Sequence, residues 1–331
     1  MNRFDVLLND FMICKICDHA GDPKTFQVRE MMLGYREEFT YFQCGHCGCL
    51  QIAKIPNDMS KYYPAEYYSF TYSPAEILKN PLRKILKKRR DRYAVFSKGL
   101  VGKYLCARHP SESLRMLSNV QNLTRHTKIL DVGCGSGAML YALQEIGFIH
   151  LLGVDPFIAA DIDYDNGLHI LKKEIHELTG EWDVIVFHHV FEHLAAPRRV
   201  LQTVAQLLSL NGVCLIRTPT VSSYAWAHYG VNWVQLDAPR HFFVHSTGSL
   251  EKLAQQAGLN LTKTVYDATA FQFWGSEQYL RDIPLFAEQS YAVNRRRSIF
   301  SKAELAAFNR QATVYNRENR GDSATFCLQK N

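Results

Sequence analysis

Three groups of side chains in this sequence have the types and spacing that chemistry needs. Four cysteines fall as Cys14-Lys15-Ile16-Cys17 and Cys44-Gly45-His46-Cys47, two C-x-x-C knuckles separated by 26 residues. Thiolates at that spacing converge on a tetrahedral cation, and four soft ligands with no open position describe a structural zinc site. Gly45 and Gly48 give the second knuckle its turn freedom, while His46 and Cys49 stand by as substitute ligands. A redox dithiol would need one pair and leave the other unexplained. The second group is Asp131-Val132-Gly133-Cys134-Gly135-Ser136-Gly137, an acid followed by three glycines on alternate positions. Glycines there permit positive φ and close approach of a ligand, and the helix that follows offers unpaired N–H groups. The third group is acid and imidazole: His188-His189 with Glu192-His193, and Arg240-His241, where the guanidinium can fork onto an anion and His241 can act as general base.

The glycine spacing alone also satisfies a dinucleotide pattern, Gly133-x-Gly135-x-x-Ala138. Asp131, two residues before the first glycine, separates the alternatives. Its carboxylate repels a pyrophosphate and favours a ligand that carries an ammonium, a sulfonium and a ribose. A second acid, Asp155, ends Leu151-Leu152-Gly153-Val154-Asp155 twenty residues after Gly135, placed to take two ribose hydroxyls. The stretch Leu130-Asp131-Val132-Gly133-Cys134-Gly135-Ser136-Gly137 resembles the first motif of class I S-adenosylmethionine (SAM) dependent methyltransferases. The likeness runs from the Cys44-x-x-Cys47 knuckle to about residue 261, and resembles the branch holding ubiquinone-type O-methyltransferases and glycan-cluster methyltransferases with a cysteine-rich N-terminal lobe. Asp131, Gly133, Gly135, Gly137 and Asp155 then contact SAM, and the resemblance adds Glu174 as a wall of the adenine site. It makes Glu192-His193 the branch's acid-histidine pair after the fourth strand, and Arg240-His241 its Pro-Arg-His signature. His189 stands where some quinone-pathway relatives carry a metal-binding carboxylate, so His189, Glu192 and His193 border the cofactor or hold a second ion. His241 is the first choice of base, His193 the second.

These residues need elements to position them. From residue 127 to about 265, short apolar runs alternate with helical patterns, the mark of a parallel sheet with helices on both faces. Strands are expected at Lys128 to Val132, Leu151 to Val154, Leu168 to Leu171, Trp182 to Phe187 and Val213 to Pro219, with a helix from Pro197 stopping at Asn211-Gly212. Ser246 is an N-cap and Gly258 a helix stop. Two final strands, Leu261 to Tyr266 and Ala324 to Leu328, flank a mostly helical insert. The expected fold is α/β: a Rossmann-like doubly wound seven-stranded mostly parallel sheet with an antiparallel last strand, plus a small N-terminal zinc ribbon. Thr25 to Val28 and Phe39 to Gln43 form the ribbon's hairpin. The domain reading is residues 1–60 zinc-ribbon lobe, 61–120 aromatic and basic helical connector, 121–265 SAM-binding core, and 266–331 C-terminal strands with the insert.

Composition sets the limits. With 331 residues and 47% hydrophobic content the chain can bury a real core, and a formal charge of +6 does not demand nucleic acid. Nine cysteines, an odd number, argue against a secreted disulfide framework. No run approaches the roughly 18 apolar residues of a membrane span, and residues 1–10 lack a leader's apolar core, so the expected compartment is the cytoplasm. Residues 62–72 are rich in tyrosine and either pack on the core or wall a pocket. Pro81 to Tyr93 is a basic amphipathic helix, by default a solvated face but able to touch an anionic membrane. The expected reaction is methylation at oxygen or carbon of a small-molecule acceptor, sugar or nucleotide-sugar first and a phenol or quinol second. The rivals are an NAD oxidoreductase and a zinc-ribbon nucleic-acid module. Oligomeric state is not legible.

Overall fold

The computed structural model describes residues 12–64 and 80–330. The tyrosines of 65–72 and the segment 1–10 lie outside the described residues. In chain order the strands are β1 (Met12–Ile13), β2 (Ala20–Gly21), β3 (Lys24–Arg29), β4 (Glu38–Gln43), β5 (Leu50–Ile52), β6 (Ile129–Val132), β7 (Leu151–Val154), β8 (Ile162–Asp163), β9 (His169–Leu171), β10 (Trp182–His188), β11 (Leu208–Pro219), β12 (Phe243–Val244), β13 (Leu259–Tyr266) and β14 (Ser323–Lys330). They divide between two compact units, neither contiguous in sequence.

The larger unit comprises Met59–Thr218, Ala254–Asp267 and Ser323–Asn331. Its sheet has the order β13-β14-β11-β10-β6-β7-β9-β8. The pairs β11/β10, β10/β6, β6/β7 and β7/β9 are parallel, while β13/β14 and β8/β9 are antiparallel. Parallel central strands are covered on both faces, so they read as unbroken apolar runs. All four residues of β6 are buried, and Asp131 is the one charge among them. The order reverses at β6, where the chain moves to β7 and β9 on one side and to β10 and β11 on the other. In open α/β sheets such a switch point leaves a crevice beyond the carboxyl ends of the strands. The core beneath it joins Ile129, Leu140, Leu143, Ile170, Val184 and Leu215.

Helices α1 (Pro81–Phe96), α2 (Leu100–Arg108), α3 (Ala138–Glu145) and α4 (Pro197–Leu207) also belong to this unit. The sheet has eight strands where seven were expected. The extra one is the two-residue β8, which folds back on β9 through Tyr164-Gly167. Helix α4 ends at Leu207 rather than at Asn211-Gly212, because β11 begins at Leu208 and pairs with Trp182 before its bulge.

The smaller unit comprises Met1–Asp58, Pro219–Leu253 and Ala268–Asp322. Its four-stranded antiparallel sheet, β12-β5-β4-β3, contains the expected hairpin, with Phe26 opposite Tyr41. The lobe is not closed by residues 1–60 alone. β12 adds to β5, and the Leu285 and Phe286 amides donate to Met31 and Met32 carbonyls at 2.9 and 3.1 Å. The units therefore divide the chain differently from four consecutive segments, since so small a ribbon gains its core from the segment after β11 and from the insert. Ser246 caps the helix Thr247–Gln256, its Oγ accepting from the Ser249 amide at 2.9 Å, and Gly258 follows at φ +74°.

Candidate functional site

In the larger unit, the chain leaves β6 through a turn in which Gly133, Gly135 and Gly137 all have positive φ, +71°, +53° and +74°. A Cβ at Gly133 would stand 2.5 Å from Val190 Cγ1, and one at Gly137 would strike Ile170. The turn is thus closed to any other residue on steric and conformational grounds. Gly137 is the N-cap of α3 and provides no side chain to satisfy the helix's first amides. The second-strand acid shapes this cradle: Asp155 Oδ2 accepts from the Gly135 amide at 2.9 Å and Oδ1 from the Phe157 amide at 2.9 Å. Each oxygen keeps a further lone pair, so Asp155 can tether the loop and still meet a ribose.

Asp131 contrasts with it. Only 5% exposed, its carboxylate makes no hydrogen bond or ion pair among the described residues. Burial, and then the charge of Asp155, pushes its carboxyl up to about 8. A buried acid at the mouth of a glycine cradle, with no cation of its own, has the chemistry to take one. Glu174 lies after β9 and is exposed. Its side chain completes a capping box with Glu177 on the short helical turn Ile175–Glu177, which gives it a structural task beside any contact with adenine.

Beyond β10 the imidazoles are locked into a network. His189 has a φ of +55°, rare outside glycine, and its amide donates to the Arg217 carbonyl at 2.8 Å. Arg217 Nη1 donates to His189 Nε2, so the ring proton sits on Nδ1, which faces Glu192 Oε1 at 3.3 Å. Glu192 is fully buried and also accepts from Thr218 Oγ1 at 2.9 Å. Arg217 in turn pairs with Asp267 at 2.7 Å and Glu112 at 3.0 Å. Both ring nitrogens of His189 are engaged, which leaves it no lone pair for a metal. His193 Nδ1 lies 3.2 Å from Tyr63 Oη, and burial holds the neighbouring His188 well below the ordinary imidazole range. Arg217 was not singled out from sequence, whereas Tyr63 belongs to the tyrosine-rich stretch expected to pack on the core or wall a pocket. An arginine inside Val213-Cys214-Leu215-Ile216-Arg217 was the available signal, since a charge in a buried strand needs a partner.

In the smaller unit, Arg240 does not await an anion. Fully buried, it forks onto Asp237 and reaches Glu30 Oε1 at 3.1 Å. Glu30 is as deeply buried and also accepts from the amides of Leu33, Gly34 and Tyr35 at 2.8, 2.9 and 2.9 Å. The expectation that Arg240 grips a substrate carboxylate or phosphate is corrected by this closed network. His241 faces the Gln235 carbonyl with Nδ1 at 2.8 Å, which fixes the proton there, and its Nε2 lies 3.7 Å from Asp237 Oδ2. That tautomer puts the ring's acceptor on Nε2.

The four knuckle cysteines also meet in this unit, all ligand atoms within 4.8 Å of one another. Cys14 Sγ lies 3.6 Å from Cys47 Sγ and Cys17 Sγ lies 3.7 Å from Cys44 Sγ. A tetrahedron with bonds of about 2.3 Å to zinc has edges of about 3.8 Å, so the quartet fits. The Asp18 and Gly48 amides donate to the Cys14 and Cys44 carbonyls at 2.9 Å, closing both knuckles. Gln51 Nε2 donates to Cys14 Sγ at 3.1 Å. Hydrogen bonding with Cys47 pulls the Cys14 thiol well down and pushes its partner up, the behaviour of thiols crowded where a cation belongs. His46 instead meets the ring of His19 edge-on, and Cys49, fully buried, points to the Leu50 carbonyl.

A family described as a methyltransferase domain matches residues 101–264. Among curated relatives, the ubiquinone biosynthesis O-methyltransferase of Azorhizobium caulinodans is 29% identical over 147 residues, covering 40% of this chain and 54% of that protein. Its counterpart in Maricaulis maris is 30% identical over 128 residues, covering 34% and 49%. The chain spans about half the length of the curated relatives it matches. Among solved structures, the cyclopropane synthase MmaA2 from Mycobacterium tuberculosis is 15% identical with a TM-score of 0.43, covering 76% of this chain and 99% of that one.

Proposed function

We propose, from the premise that residues 101–264 are a methyltransferase domain of the class I SAM-dependent kind, that this chain methylates a hydroxyl of a small-molecule acceptor. The observation that carries the reading is Asp131: an acid buried without a counter-charge beside three positive-φ glycines suits a cationic nucleoside, whose charge favours the ionised carboxylate. When bound, SAM supplies an electrophilic methyl on a sulfonium that leaves as a neutral thioether.

The protein's part is to bind and orient. Asp131 neutralises the ammonium end, the Gly133 to Gly137 turn admits the nucleoside, and Asp155 takes the ribose hydroxyls while holding the loop. Glu192, fixed by His189 and Thr218, keeps the strand end in place. A hydroxyl nucleophile must lose its proton, and His241 Nε2 takes it, worth about 10² to 10⁴ in rate. His193 is the second candidate. A sugar or nucleotide-sugar acceptor agrees with the cysteine-rich lobe, and a phenol or quinol with the printed names of the curated relatives. Zinc on Cys14, Cys17, Cys44 and Cys47 is structural, since four thiolates leave it no open position.

Calorimetry with S-adenosylhomocysteine tests the cofactor, and His241→Asn tests the base. Saturable binding is expected, with wild-type affinity in His241→Asn and turnover at least a hundredfold lower. Binding of NAD in place of S-adenosylhomocysteine refutes the first assignment, and unchanged turnover the second.

A further inference from the structure

We propose that helices α1 and α2 form a docking surface for an anionic lipid membrane, the chain lying on the bilayer rather than crossing it. Among the described residues no helix is long and apolar enough to span. This surface is independent of the methyl-transfer reading.

Helix α1 ends at Ser97, which is left-handed with a φ of +54°. The chain turns through Gly99, and α2 packs back so closely that a Cβ at Gly102 would stand 2.6 Å from Tyr93 Cβ. The buried side of α1 carries Asp91, Ala94 and Val95, and Lys84 and Lys88 bind Glu145 of α3 at 3.0 and 2.9 Å. The opposite side carries large apolar residues at helical spacing, Leu82, Ile85 and Leu86, and α2 adds Leu100, Val101 and Tyr104. Leu82 is 65% exposed and Leu100 86%. Two helices that already have a packed inner face have no folding reason to present six such side chains outward. An apolar patch of this kind marks a docking surface.

Charge identifies the occupant. From Pro81 to Arg108 the sequence has ten lysines and arginines against one acid, whereas the whole chain is only +6, so the remainder is net acidic. Lys87 and Arg90 are spent on Asp91. Arg83, Arg89, Arg92, Lys98 and Lys103 form no ion pair among the described residues, and Arg108 lies over the Tyr104 ring at 4.5 Å. A second copy of the chain would set these cations against their own images. Nucleic acid would satisfy the cations but leave Leu82, Ile85 and Leu100 in water. An anionic bilayer satisfies both, apolar side chains entering between the acyl chains while arginine and lysine reach the headgroups.

The test is co-sedimentation of the full chain with phosphatidylcholine vesicles containing about 30% phosphatidylglycerol, against phosphatidylcholine alone. Binding is expected only to the anionic vesicles. Ile85→Ser with Leu100→Ser, and separately Arg89→Gln with Arg92→Gln, should each weaken it about tenfold, with S-adenosylhomocysteine affinity unchanged as the check on folding. A Leu100→Trp variant should shift its emission to the blue on the vesicles. Three results would each overturn the proposal: no preference for anionic vesicles, a duplex-DNA affinity that falls with the arginine pair but ignores the apolar pair, or a dimer that Leu100→Ser dissociates.

Discussion

Replacing Asp131 with asparagine should make the ligand-free protein more stable and unable to bind its cofactor. The carboxyl ordinarily near 3.8 is pushed to about 8 in the fold by burial and by Asp155. The folded state therefore holds this proton more tightly than the unfolded chain. Stability from this group is complete below 3.8, falls as pH rises, and is lost once pH passes about 8. The full shift corresponds to roughly 6 kcal/mol at most, at 1.36 kcal/mol per unit, and relaxation of the site makes the true figure smaller. Asparagine has the same shape and no charge, so it escapes the loss, less about 1–3 kcal/mol for its own unpaired amide.

The assay is urea unfolding of both proteins without ligand from pH 5.5 to 7.5, using the difference so that other titrations cancel. Across that window the wild type loses stability relative to Asp131→Asn by about 1.4 kcal/mol per pH unit, nearly 3 kcal/mol in total. Adding S-adenosylhomocysteine reverses the order: a ligand at a hundred times its Kd stabilises the wild type by about 2.7 kcal/mol and the variant by nothing. Cofactor affinity of the wild type should rise about tenfold from pH 7 to pH 9 as the carboxyl ionises, with close to one proton released on binding at pH 7. A difference between the two proteins that does not vary with pH refutes the argument. So does an asparagine variant that binds as tightly as the wild type.

Three other perturbations have defined outcomes. Gly133→Ala forces a Cβ into Val190 at a φ of +71°, costing about 1–3 kcal/mol of stability and most of the cofactor affinity in calorimetry; a silent substitution would mean that the turn does not contact ligand. Purified protein should carry one zinc per chain by elemental analysis, and Cys44→Ser or chelation should expose the lobe to proteolysis while the parallel sheet keeps its circular-dichroism signal. Glu30→Ala should cost about 3–5 kcal/mol in urea unfolding, because it takes one of Arg240's two carboxylate partners and leaves three backbone amides unpaired in the interior. A loss under 1 kcal/mol would show that water replaces the carboxylate.

What was legible in the sequence is what depends on local rules. The glycine turn, the knuckle spacing, the β3/β4 hairpin and the Ser246 cap are each settled over a short reach of chain by φ, chelate reach or hydrogen-bonding type, and all appear where the residues indicate them. The missing information is long-range. Nothing near Arg240 announces Glu30, 210 positions earlier, so a guanidinium that suggests substrate binding proves to be an internal ion pair. Nothing near residue 282 announces that Asp282 answers Arg29 and Arg36 at 2.8 and 3.1 Å and joins the insert to the ribbon.

His189 shows why local likeness and local chemistry diverge at such a site. Its position in the sequence places it either beside the cofactor or on a second ion, and imidazole is competent for the latter role. The strand next door engages that ring, because β10 and β11 pair His188 with Arg217 in register and bring the guanidinium against His189 Nε2. A cation donating to that nitrogen fixes the tautomer, turns Nδ1 toward Glu192 and removes the lone pair a metal would need. The same contact turns Nδ1 toward the buried Glu192, which is anchored between His189 and Thr218. Replacing Arg217 with a neutral residue would free Nε2. The consequence is that one arginine takes His189 out of any ligand set and, through the same bond, ties the end of β10 to β11.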